Sequence, residues 1–98
     1  VKNFRKDAFS VAIDMFHAIR FDENNELTES EFVKHSKFKV FNVHYIKKRL
    51  RQRTIKVIAQ FYVDEKNDDL YVVQFVAPSQ HWQRMSASRK QFFQSLVL

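Results

Sequence analysis

An α+β fold is the class this sequence predicts, on three observations. A helical stripe of apolar residues opens the chain, two strand patterns joined by a polar turn occupy its middle, and helical spacing returns after the single proline. Taken together they predict the order α-α-β-β-β-α, a three-stranded antiparallel meander with the helices packed on one face.

From Phe4 to Arg20 the polar residues Asn3, Asp7, Ser10, Asp14 and His17 fall three or four apart, and Phe9, Ala12, Ile13, Phe16 and Ile19 fill the opposite side. This spacing predicts a first helix of about four turns. Asp22 to Glu26 break the pattern. Thr28-Glu29-Ser30-Glu31 then has the Thr-x-x-Glu spacing of a capping box, with Leu27 and Phe32 placed as its hydrophobic staple, so a second helix is expected from Glu29 to Ser36.

The run Phe38 to Ile46 alternates loosely, with Phe41, Val43 and Tyr45 on one side, and predicts a first strand. Ile55, Val57, Ala59, Phe61 and Val63 are apolar at every second position, the pattern of a half-buried strand that Ile58 alone interrupts. Leu70 to Ala77 is apolar on both faces, which predicts a strand interior to the sheet. Asp64 to Asp69 between them are six polar residues, some tolerant of left-handed backbone, and predict an antiparallel hairpin. Pro78 ends the third strand, and a last helix follows from Ser79 with Trp82, Met85, Phe92, Phe93 and Leu96 on one face. Arg89 intrudes on that face, through a break near Ser86 or a snorkelling stem. The chain reads as one domain, 1–98, with a helical part at 1–37, the sheet at 38–77 and the closing helix at 78–98.

Composition narrows function mainly by exclusion. There is no cysteine, which removes disulfides, thiolate metal sites and cysteine nucleophiles and leaves the compartment open. There is also no glycine, so phosphate-cradling loops, dinucleotide turns and nucleophile elbows lack the residue that normally builds them. The 11 Phe supply a core. No apolar run reaches the length of a membrane span and no signal-peptide core opens the chain, although a start at Val1 leaves room for a lost leader or anchor.

A net charge of +6 favours an anionic partner. The charge concentrates at the connection between the first and second expected strands, where Lys47, Lys48, Arg49, Arg51 and Arg53 place five cations in seven residues and Lys56 continues the run. Such a tip follows phosphates or acidic side chains; as structure alone, it is a solvated ribbon that blunts an edge. These six are the candidate binding residues. Two other patterns point elsewhere less well. Aligning Glu31 as the last ligand of an EF-hand puts Arg20 where a carboxylate is needed and Asn25 where glycine is, so the capping box explains that loop better. His17, His35, His44 and His81 lie on different expected elements with no i, i+4 pair, and no cofactor or metal is expected.

Across residues 53–98, Leu70-Tyr71, Trp82 with Arg84-Met85, and Ser95-Leu96-Val97 stand where the PsbP/Mog1-like family has a Tyr-bearing strand, a Trp at the helix start and a closing Ser-aliphatic pair, and the C-terminal half resembles that family. The resemblance implies a non-catalytic accessory or docking module. From Thr28 onward the expected helix, three strands and helix are also similar in order to a double-stranded-RNA-binding domain, with Ser88-Arg89-Lys90 at the start of the last helix. A long helix ahead of an antiparallel sheet is similar in order to cystatin-like and NTF2-like modules. The leading expectation is a small docking module for an acidic protein partner or assembly, followed by direct nucleic-acid binding through residues 47–56, with an enzyme third because no acid-base pair or phosphate loop is visible.

Overall fold

The computed structural model describes residues 7–48 and 53–96. Their order is α-β-β-β-β-α: α1 Ala8–Arg20, β1 Asn25–Val33, β2 Lys39–Lys48, β3 Thr54–Asp64, β4 Asp69–Pro78, a 3-10 turn Ser79–His81 and α2 Ser86–Gln94. The four strands form one antiparallel sheet in chain order, β1-β2-β3-β4. The class is α+β as expected, but the meander has four strands, not three.

The extra strand lies where a second helix was expected. Residues Asn25–Val33 pair with β2 from Asn25 opposite Lys47 to Val33 opposite Val40. The expected cap makes a different bond: the Thr28 hydroxyl donates to the His44 carbonyl across the strand pair. Thr28 is also the extra residue of a bulge, because Leu27 opposes Tyr45 while Glu29 opposes His44. The bulge moves the inward positions from odd to even, so Leu27, Ser30 and Phe32 share one face and no simple alternation survives in the sequence. A helix of eight residues gains little from its own hydrogen bonds. Pairing along β2 serves the same backbone groups better.

α1 lies across the face formed by the odd residues of β2 and β3. Ala8 and Ala12 are buried there with Phe41, Val43, Tyr45, Val57, Ala59, Phe61 and Val63, and Phe9, Ile13, Phe16 and Ile19 pack beside them. The small side chains of Ala8 and Ala12 let the helix approach the sheet closely. Asp7 caps the helix, accepting from the Ser10 N–H at 2.8 Å. The carboxylate of Asp68 accepts from the Ala8 N–H at 2.7 Å and ties the helix start to the β3-β4 turn. At the other end Asn25 Nδ2 donates to the Ile19 carbonyl, so α1 runs diagonally from β4 to β1.

The helices do not share a face, which corrects the second architectural expectation. Phe75 opposes Ile58, on the face away from Val57 and Ala59. It is there that Trp82, Phe92 and Phe93 meet the Phe75 ring, at centroid distances of 6.1, 5.6 and 6.3 Å. Ile58 broke the alternation because this far face also has a helix to receive it. At the opposite end of the far face Phe38 is buried against Tyr62 and Tyr71.

β4 is an edge strand, against the expectation of an interior one. In a meander that follows chain order the last strand has a neighbour on one side only. Its apolar residues on both faces reflect α2 packing on one face and Leu70 packing near α1 on the other. The hairpin before it is as expected: Asp64 opposes Asp69, and Asp68 adopts a positive φ of 55°. The buried Asp64 carboxylate accepts from the Asn67 side-chain amide at 2.8 Å and from its N–H at 3.2 Å. Those bonds, led by the side-chain amide, outweigh the burial that opposes ionisation and hold its carboxyl below the usual carboxylate range.

Candidate docking surface

The cations of the β2-β3 connection stand at one end of the sheet. Lys47 and Lys48 end β2 and are exposed, Arg53 is exposed immediately before β3, and Arg49 and Arg51 lie outside the described residues. Successive residues of a strand point to opposite faces. Lys47, opposite Ile55, therefore projects on the α1 face, and Lys48, opposite Thr54, on the far face. The backbone of this end is closed by the Lys48 N–H donating to the Asn24 carbonyl at 2.7 Å.

Lys56 also faces the far side, where the structure brings it to residues distant in sequence. Its Nζ lies 5.8 Å from the centroid of the Trp82 ring, and the Arg89 guanidinium lies 4.2 Å from the same centroid. Arg89 in addition donates to the Trp82 carbonyl. α2 begins at Ser86, which matches the break that Arg89 implied, and the break turns its side chain back onto Trp82. His81 Nδ1 accepts from the Arg84 guanidinium on the same turn. Lys48, Lys56, Arg84 and Arg89 thus belong to one basic end. Arg89 is the residue that linear reading did not join to the cluster, since it lies thirty-odd positions from Lys56 and only the crossing of α2 over β3 and β4 brings them together.

Charge is unevenly distributed around this end. Asp22, Glu23 and Glu26 stand beside it on the β1 side, with Asn25 opposite Lys47. Glu29 and Glu31 follow along β1, and Glu29 Oε2 lies 3.6 Å from His44 Nδ1. On the β3 and β4 side no acidic residue occurs from Leu70 to Leu98. Among the described residues Lys47, Lys48, Arg53 and Lys56 make no ion pair, whereas Lys39 at the other end pairs with Glu65 at 3.2 Å. Two hollows open here: a cleft of about 180 Å³ between Thr28, His44, Lys56 and Trp82, and a notch of about 490 Å³ between Arg53, Ile55, Pro78 and His81.

A separate apolar cleft of about 230 Å³ lies between α1 and β1, lined by Ile13, Phe16, His17, Phe32 and Phe41. Phe32 is 73% exposed at its mouth, with its ring 5.5 Å from Phe41. The four histidines stay apart. His17 stacks on Phe21, and His35 Nδ1 accepts from the N–H groups of Lys37 and Phe38 in the β1-β2 connection. No group of three or more His, Cys, Asp or Glu side chains among the described residues is placed to hold a metal ion. No described helix is long and apolar enough to cross a membrane. Comparison with models of known families, with curated proteins and with solved structures finds no match.

Proposed function

We propose that this chain is a docking module that acts without catalysis and binds an acidic protein surface through the basic end of its sheet. One observation carries the reading: Lys47, Lys48, Arg53 and Lys56 gather at one end of the sheet with no carboxylate partner among the described residues. Edge protection needs fewer charges than this, and β2 and β3 are interior strands with no edge to protect. The preference for protein over nucleic acid rests on the aromatic ring at the site. Single strands are bound by stacking bases on open rings, and the Trp82 ring already carries Arg89 and Lys56.

Fluorescence anisotropy with a labelled peptide rich in Glu and Asp, and with labelled RNA and DNA duplexes of similar charge, tests the proposal. The parent chain binds the peptide, and changing Lys48, Arg49, Arg51 and Arg53 together to Ser weakens binding by at least about tenfold, while circular dichroism stays unchanged. Affinity for a duplex would instead fall with salt at a slope of about 0.9 per phosphate neutralised. Tighter binding to duplex than to peptide, with that steep slope, replaces the proposal by nucleic-acid binding. Absence of peptide binding at low salt overturns it.

A further inference from the structure

The two edges of the sheet are built differently. β1 carries the devices that keep an edge from pairing: the bulge at Thr28 and the charges Glu26, Glu29 and Glu31. β4 carries none from Leu70 to Ala77, a run of Leu, Tyr, Val, Val, Gln, Phe, Val and Ala. Its residues Val72 and Val76 are 37% and 49% exposed on the α1 face, beyond the diagonal cover of that helix, and Gln74 is exposed between them.

We propose that β4 pairs with β4 of a second copy of this chain, joining two sheets into one of eight antiparallel strands around a two-fold axis at Gln74. The backbone has the required orientation. Proline sits in a sheet where its nitrogen turns away from the neighbouring strand, and Pro78 opposes Ile55 at the end of the β3-β4 ladder. By alternation Leu70, Val72, Gln74 and Val76 turn their N–H and C=O groups to the open edge too. A two-fold axis normal to the sheet keeps each face with its like, so paired residues must have the same parity. With the axis at Gln74, Val72 of one copy meets Val76 of the other twice, Leu70 meets Pro78, and the two Gln74 side chains adjoin.

Charge selects a second copy as the occupant. One end of β4 carries the exposed Asp69, which makes no ion pair among the described residues, beside Glu65 paired with Lys39 and Asp68 bonded to the Ala8 N–H, and the other carries the notch lined by Arg53 and His81. Antiparallel pairing places the acidic turn of each copy at the basic notch of the other, at both ends of the interface. Lys47 and Lys48 on β2 and Lys56 on β3 lie inward of the seam at about 4.8 Å per strand and stay open for the docking role, whereas Arg53 in the notch is shared with the turn of the second copy.

Sedimentation equilibrium tests the pairing directly. The parent chain passes from monomer to dimer as concentration rises. Gln74→Lys sets like charges on the axis and weakens self-association about tenfold or more, and an equimolar mixture with Gln74→Glu restores a heterodimer. The chain has no native cysteine, so Gln74→Cys gives an independent reading that needs no loss of fold. Paired residues that share both hydrogen bonds stand about 5.5 Å apart at Cα, within the span of a disulfide, and this variant oxidises to a covalent dimer while Ser88→Cys does not. A parent still monomeric at about 1 mM overturns the proposal. So does a dimer indifferent to Gln74→Lys, or equal cross-linking of the two cysteine variants.

Discussion

Phe61→Ala should remove the side chain on which the two layers of the main core turn. Phe61 is fully buried, opposes Phe41 in the β2-β3 ladder and stacks on it at 4.9 Å with ring planes 18° apart. Phe41 in turn meets Phe16 of α1 edge-on at 6.2 Å, so the deletion leaves a cavity under the helix and not at the surface. Truncation of a buried Phe to Ala costs about 3–5 kcal/mol. For a domain of this size, whose total stability is about 5–15 kcal/mol, that is a large share. At about 4–8 °C per kcal/mol the melting temperature should fall by roughly 12–40 °C. Phe32→Ala is the control, since that ring is exposed at the mouth of the α1-β1 cleft and its loss should stay near or below about 1 kcal/mol. Thermal melts and urea titrations of the three proteins measure the difference. Equal shifts for the two variants would refute the placement of the core.

Three more outcomes follow from the faces of the sheet. Val57→Asp should unfold the domain because Val57 is buried on the α1 face, while Lys56→Asp, which removes a cation from the Trp82 ring on the far face, should cost about 1 kcal/mol; circular dichroism melts compare them. Thr28→Val should leave stability within about 1 kcal/mol, since a β-branched residue suits β1 and only the bond to the His44 carbonyl is lost, whereas a helix cap would lose its acceptor; a chain that loses helical ellipticity in the same melt would reinstate the helix there. Asp64 has its carboxyl held below its ordinary value of 3.8 in the folded chain, so its contribution is present above that pH and is lost as pH falls below it. Melting temperature against pH should therefore drop below about pH 4, and Asp64→Asn should flatten that acid limb; an unchanged limb would show that other carboxylates cause it.

Much of this fold was legible in residue spacing, and what was not has local causes. The stripe of Phe9, Ala12, Ile13, Phe16 and Ile19 marks α1 because a helix three turns long needs that face to reach the sheet. The alternation from Ile55 to Val63 marks β3 because its two faces have different cover, and the polar run ahead of Asp69 marks a turn in which Asp68 takes the left-handed conformation. β1 was hidden by one residue: the bulge at Thr28 divides the strand into two registers, and three glutamates on the far side imitate the start of a helix. β4 looks interior because apolar residues on both faces imply cover on both faces, a statement about layers above and below and not about neighbours in the sheet. The site was legible in its charges and not in its arrangement. Lys47 and Lys48 diverge to opposite faces, and the convergence of Lys56 and Arg89 on Trp82 depends on α2 lying over the face that α1 leaves open. The spacing of Arg89 announced only a break near Ser86 or a snorkelling stem, and the structure has the break.

The basic end of the sheet as a docking surface is tested most directly by a nuclear magnetic resonance titration of the isotopically labelled chain with a peptide rich in Glu and Asp. Salt-sensitive shifts should saturate and cluster on the amides of Lys47, Lys48, Arg53 and Lys56 and on the Trp82 indole N–H, with α1 unmoved. Shifts confined to the α1-β1 cleft around Phe32, or a response at the basic end to duplex RNA and none to the peptide, would contradict it.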